Sequence, residues 1–248
     1  VDYFALDHDE GQFDGYLKRY GTFAGTGITS FRMPSNLQYI APETFRNCEQ
    51  LKTFYIGKAF RGKINYGEEG DPDTLFLYYA PIRLIQIDKE NTSYQLQNEI
   101  LYTRDGHILC QALKNDNADS QLTIPSCVTE IADGAFYRNS EFGAIEVKGS
   151  LERIGISAFA CADVGSFYVK GGVNYLDRGS FYQSAISEWR CHGGVKKYEK
   201  SAFQDVDATN GYAIDMNAIT KLYQELLYVN ATTDLSYWVK TIWNWIIM

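Results

Sequence analysis

The residue types with the widest chemical repertoire are few in this chain and do not converge. Its three histidines, His8, His107 and His192, stand in unrelated places. No HxxxH, HExxH or CxxC spacing occurs, so the sequence offers no metal centre. The five cysteines, Cys48, Cys110, Cys127, Cys161 and Cys191, are odd in number and widely separated. Most of them read as small hydrophobes inside the fold, since dense disulfide frameworks belong to small secreted chains. There is no GxSxG, GxGxxG or P-loop, and hence no nucleophile elbow or phosphate cradle. Gly171-Gly172 and Gly193-Gly194 read as turn glycines. The acidic run Glu68, Glu69, Asp71, Asp73 has the oxygen ligands calcium takes. It lacks the ligand pattern of an EF-hand loop and reads as a solvated loop. The expectation is therefore no catalytic residue, no metal and no cofactor.

Composition narrows the partners. The net charge of the 248-residue chain is −8. That argues against a nucleic-acid groove, which needs a basic stripe to meet phosphate. Hydrophobic residues make up 45% and charged residues 22%, an ordinary soluble balance. No run is long enough to cross a bilayer as a helix. No signal peptide is visible in the chain, which starts at Val1 rather than Met. Any membrane attachment is expected through an anchor outside this chain.

What positions the side chains is a repeat. Leu122, Ile124, Val128, Ile131, Ala135 and Phe136 define a six-point template. It recurs as Ile145, Val147, Leu151, Ile154, Ala158, Phe159, then from Phe167 to Phe181 and from Trp189 to Phe203. An upstream copy runs Phe31, Met33, Leu37, Ile40, Thr44, Phe45. Four copies follow one another at 22 or 23 residues, the signature of a solenoid. The first two anchors, two residues apart, predict a short strand. Ala-Pro-Glu-Thr-Phe at 41–45 predicts one helical turn with Pro near its start.

The period breaks twice. Residues 57–81 hold glycines and the acidic run and predict an insertion on the solenoid flank. Residues 98–113 place Ile100-Leu101-Tyr102 and Ile108-Leu109-Cys110 about a turn ending in Gly106, a β-hairpin pattern. Residues 1–27 predict a lead-in with a degraded repeat, as terminal repeats are atypical. Residues 28–206 carry the repeats. Residues 207–248 predict two amphipathic helices covering the last coil. The whole of 1–248 reads as one domain.

The stretches LTIPSCVTEIADGAF and FRMPSNLQYIAPETF resemble the BspA-like (Treponema-type) leucine-rich repeat family. NEILYTRDGHILCQAL is similar to a hairpin inserted in such arrays. The resemblance implies an α/β right-handed solenoid with short parallel strands on one face and short helical turns opposite. It also implies export to the surface of host-associated bacteria, adhesion or host-protein binding, and no shared catalytic residues. The chain departs from the pattern at Gly57, Lys148, Lys170 and His192, where the family has Pro.

Stacked strands bring equivalent residues into columns about 4.7–4.9 Å apart. The outward position of each strand is Arg32, Tyr55, Gln86, Thr123, Glu146, Tyr168 and Arg190. Tyr and Arg are enriched at protein interfaces. These seven are the candidate binding residues, for a protein such as a host matrix protein or for a glycan. The expected role is a non-enzymatic, cell-surface or secreted binding module. The alternatives are a structural spacer array in a larger envelope protein and an enzyme with an unrecognised site. Oligomeric state has no signature in the sequence.

Overall fold

The computed structural model describes residues 3–4, 22–41, 44–67, 74–75, 77, 80–113, 120–140 and 142–203. The expected helical cap over 207–248, His8 and the acidic residues Glu68, Glu69, Asp71 and Asp73 lie outside these residues, as does most of the lead-in.

The chain winds into a parallel β-solenoid of seven coils. Each coil opens on a strand whose apolar residues alternate with polar ones, the period-2 pattern of a half-buried sheet. These face strands form two ladders. Ser30–Arg32, Thr53–Ile56 and Leu84–Ile87 pair in parallel. Ser120–Ile124, Phe142–Val147, Asp163–Val169 and Ala185–Cys191 form the second ladder. The registers align template anchors directly, with Ile145 opposite Phe167 and Phe167 opposite Trp189.

A second strand follows in each regular coil. Glu130–Ile131, Leu151–Ile154, Val173–Leu176 and Val195–Tyr198 build a parallel ladder of their own. Between the ladders lies the core. Phe136, Phe159, Phe181 and Phe203 stack one per coil, with ring centroids 4.6, 5.0 and 5.1 Å apart and planes within 8°. That spacing is close to the rise between paired strands. Phe142, Phe167 and Trp189 meet the column edge-on. Burying each such ring is worth about 1.5–3 kcal/mol.

The helical turns expected opposite the face strands are not present; among the described residues there is no α-helix. The backbone donors explain why. In the turn around Phe136, the amides of Ala135, Tyr137 and Asn139 donate three residues back, to Ala132, Gly134 and Phe136. The alternate amides of Gly134, Phe136 and Arg138 donate to Ile156, Ala158 and Ala160 of the next coil. A helix needs every amide to reach back four residues, and half of these are committed to a neighbour. The same alternation recurs around Phe159, where Ser157, Phe159 and Cys161 donate to Arg178, Ser180 and Tyr182. It also sets the conformation two residues after each Phe. Asn47, Arg138, Cys161 and Gln183 all have φ between 49° and 58°.

The predicted hairpin is the inner part of a three-stranded meander. Tyr94–Gln97, Ile100–Thr103 and Ile108–Ala112 pair antiparallel in sequence. Gly106 closes the second turn at φ +76°. Ile108–Ala112 then pairs in parallel with Glu130–Ile131. The meander therefore adds strands to the second ladder only, and the face ladder is interrupted between Leu84–Ile87 and Ser120–Ile124. The hydrophobic core divides at the same place into two clusters, with Leu101 and Cys110 in one and Ile100, Tyr102 and Leu109 in the other.

The described residues of 57–81 include members of the core. Phe60, Ile64 and Leu77 are fully buried. Asn65 is buried too, at φ +60°. Its Nδ2 donates to Gln111 Oε1 at 2.6 Å and Cys110 O at 3.2 Å, and its Oδ1 accepts from the Leu77 amide at 2.7 Å.

Candidate functional site

The face strands present alternate residues outward, so the seven sequence-derived positions sit at equivalent places on their strands. Arg32, Tyr55 and Gln86 are paired across the first ladder. Thr123, Glu146, Tyr168 and Arg190 are paired across the second. The structure brings them together as these two groups, because Gln86 and Thr123 sit on strands that do not pair.

In the first group the side chains form a chain of contacts. The Arg32 guanidinium lies 3.9 Å from the Tyr55 ring centroid, a cation–π contact. The Tyr55 hydroxyl donates to Asp88 Oδ2 at 2.9 Å, and this bond is the main cause of its raised pKa. Asp88 also accepts from the Glu90 amide at 2.9 Å, and that bond, with the one from Tyr55, lowers its carboxyl pKa. Gln86 is exposed at the edge. Beside it in the preceding column stands Leu84, an exposed large apolar side chain at 45%.

The second group is more polar. Glu146 binds the ammonium groups of Lys148 and Lys170, the latter at 3.4 Å. The bond from Lys148 is the main reason its carboxyl pKa falls. Arg190 pairs with Glu188, two residues back on the same strand. Tyr168 meets His192 edge-to-face with centroids 5.3 Å apart. A hollow of about 170 Å³ opens here, lined by Ser166, Phe167, Tyr168, Glu188, Arg190 and His192. Lys148, Lys170 and His192 follow directly after paired Val147, Val169 and Cys191, and so fall in one column. This column and Glu188 lie outside the seven candidate positions. Its signal was already in the sequence, at the positions where Pro gives way to Lys, Lys and His.

A third arrangement went unread in the sequence. Arg153, on the second ladder, donates to Glu130 Oε1 at 2.8 Å, Asp133 Oδ1 at 2.5 Å and Asp177 Oδ2 at 2.9 Å. The three carboxylates belong to neighbouring coils, 20 to 24 residues away. Burial opposes the Arg153 charge, and Asp133 and Glu130 more than offset it, so its pKa is raised. Burial lifts the Asp133 carboxyl to about 6, against the pull of Arg153. The cluster is a clamp between coils, and Asp133 Oδ1 also accepts from the Ile156 amide at 2.8 Å.

The other chemistry-bearing residues stay apart. His107 lies 3.7 Å from Asp105 at the exposed meander turn. No disulfide joins the cysteines among the described residues; Cys48, Cys110 and Cys191 are buried as expected, Cys161 is half-buried and Cys127 is exposed. Among the described residues no group of three His, Cys, Asp or Glu side chains is placed to hold a metal ion. No described helix is long and apolar enough to cross a membrane.

Comparison with known proteins adds the family. No curated protein sequence matches the chain. Two solved structures are similar over most of it. The pneumococcal vaccine antigen PcpA is 14% identical, with a TM-score of 0.49, over 81% of this chain and 66% of that one. A leucine-rich repeat protein from Eubacterium ventriosum is 17% identical, with a TM-score of 0.38, over 74% and 66%. The chain spans just under two thirds of the length of each. The model of the BspA type leucine-rich repeat region matches residues 19–66 and 106–210 in six copies, more than half of the chain. With the repeat period, the buried template and this match in agreement, the chain belongs to the BspA-type leucine-rich repeat family.

Proposed function

We propose that this chain is a non-enzymatic, surface-exposed or secreted binding module that engages a protein or glycan through its strand face. The observation that carries this reading is the alternation itself. The face strands spend their inward residues on the core and leave two in-register groups, rich in Tyr and Arg, pointing out. Such a face is rigid, so little side-chain and backbone entropy is lost on docking. The reading is tested by replacing Tyr55, Tyr168 and Arg190 with Ala together and measuring binding to a panel of extracellular-matrix proteins and a glycan array. A wild-type ligand whose affinity drops about 100-fold in the variant, at unchanged circular dichroism, supports it, since interface anchors carry most of the energy. Unchanged affinity, or no wild-type ligand in the panel, overturns it.

One observation favours a second reading, a structural spacer array. The face satisfies its own charges, with Arg190 on Glu188, Lys148 on Glu146 and Tyr55 on Asp88. A face that serves only solubility does the same. Under that reading the triple variant binds every panel member as the wild type does.

A further inference from the structure

We propose that Arg190 is the anchor for a carboxylate of an acidic protein segment, and that Glu188 holds that anchor in the free molecule as an internal stand-in. This rests on the strand-face reading and narrows it to one ligand chemistry.

The Arg190–Glu188 pair is open to water, with the two side chains 57% and 36% exposed. Exposed ion pairs contribute little to stability, so exchanging one carboxylate for another on the same guanidinium is inexpensive. Guanidinium is also the side chain whose planar fork takes a carboxylate on two donors at once. Glu188 reaches it from two residues away on the same strand. The hollow beside the pair has the size of one ligand side chain. The buried Phe167 lines it, as do Tyr168 and His192, whose rings meet edge-to-face.

The local charge selects the ligand. On this part of the face three cations, Lys148, Lys170 and Arg190, meet two carboxylates, Glu146 and Glu188. The sign is the reverse of the molecule's, whose net charge is −8. An acidic segment is repelled elsewhere and accepted here, which fixes its register. Glu146 is shared by both lysines, whereas Arg190 is paired with Glu188. One exchangeable guanidinium beside a hollow for one side chain suits the Asp or Glu of a protein segment. It does not suit a sulfated polymer, which is met by an extended basic stripe.

The test is fluorescence polarisation with a labelled peptide bearing Glu at alternate positions, using the full chain. Glu188→Gln is expected to tighten binding about threefold, because the internal competitor for an exposed pair is gone. Arg190→Gln is expected to abolish it, and Arg190→Lys to weaken it about tenfold through loss of the two-donor fork. Thermal unfolding of each variant reports whether the fold is kept. Unchanged or weaker binding in Glu188→Gln, or wild-type binding in Arg190→Gln, overturns the proposal. So does stronger binding of a heparin-derived oligosaccharide than of the peptide. Should Glu188→Gln fail while the triple Ala variant still loses its panel ligand, the carboxylate anchor falls and the strand-face reading stands.

Discussion

The coils from Leu122 to Phe203 and those before the meander solve the same problem by different means. In the regular coils, backbone amides of the turns donate to carbonyls 21 or 22 residues on, and most side chains fill space, the Arg153 clamp apart. Before the meander the period is broken, and buried amide and phenol side chains take over. Asn91 Nδ2 donates to Gly57 O at 2.8 Å and Phe60 O at 3.1 Å, while its Oδ1 accepts from the amides of Ser93 and Tyr94. The Tyr94 hydroxyl donates to Gly62 O at 2.5 Å and accepts from the Ile64 amide at 3.0 Å. Asn65 links the same region to Gln111. Each side chain replaces a bond that a missing coil would have supplied, as a buried backbone group requires a partner. Regularity is thus interchangeable with a small set of buried polar residues, at the expense of sequence tolerance.

The comparison can be broken most directly at the Phe column. Phe159→Ala should cost about 4 kcal/mol, because it leaves a cavity between two stacked rings. Hydrogen exchange should then quicken from Leu122 to Phe203 and much less before the meander, since coils depend mainly on their neighbours. Uniform loss of protection would show that the two cores are one cooperative unit. Asn91→Ala should cost about 3 kcal/mol by stranding several buried backbone groups, with the opposite pattern of exchange. A loss below about 1 kcal/mol would mean that water replaces the amide there.

Two smaller effects sharpen the contrast within the regular coils. Asp133 binds its proton more tightly folded than unfolded, its carboxyl rising from 3.8 to about 6. The stability this gives is complete below pH 4 and is lost as pH rises through 6, on the order of 2–3 kcal/mol. Denaturant melts across that window should slope accordingly, and Asp133→Asn should flatten the slope. An identical slope in the variant would remove Asp133 as its source. Ser180 occupies the small position before a column Phe, fully buried, and its hydroxyl has no partner among the described residues. Ala stands there in three neighbouring coils, at 135, 158 and 202. Ser180→Ala should therefore stabilise the protein by about 1 kcal/mol, read as a raised denaturation midpoint. A lowered midpoint would reveal a bond to that hydroxyl.

Much of this was legible in the sequence because the template is dictated by contact with the core. Ile124, Val128, Ile131, Phe136 and their equivalents are all buried. The second strand of each coil was not legible. Leu151 and Ile154 are three apart, a spacing with no strand period, and their pairing partners Val173 and Leu176 lie 22 residues away. The absence of helical turns around Phe136 and Phe159 was hidden for the same reason, as it is set by coil-to-coil bonds that no local signal carries. On the face, the outward positions followed from alternation. The pairings Arg190 with Glu188 and Tyr55 with Asp88 depend on side-chain direction, which spacing does not encode. Arg153 lay hidden because its three partners converge only once three coils are stacked.

The amides that donate from one coil to the next also govern how such a chain changes length. Losing one residue between Ile145 and Phe159 shifts every later donor past its carbonyl and turns core side chains outward. Losing 145–166 whole does neither. The coil that ends in Phe136 then meets the coil that ends in Phe181, glycine above glycine and ring above ring. The gene can therefore be shortened or extended in steps of one full coil, while the meander and the segment about Asn65, tied to particular neighbours, cannot be copied or dropped alone. Variation in reach is confined to the regular half, and the irregular half stays single.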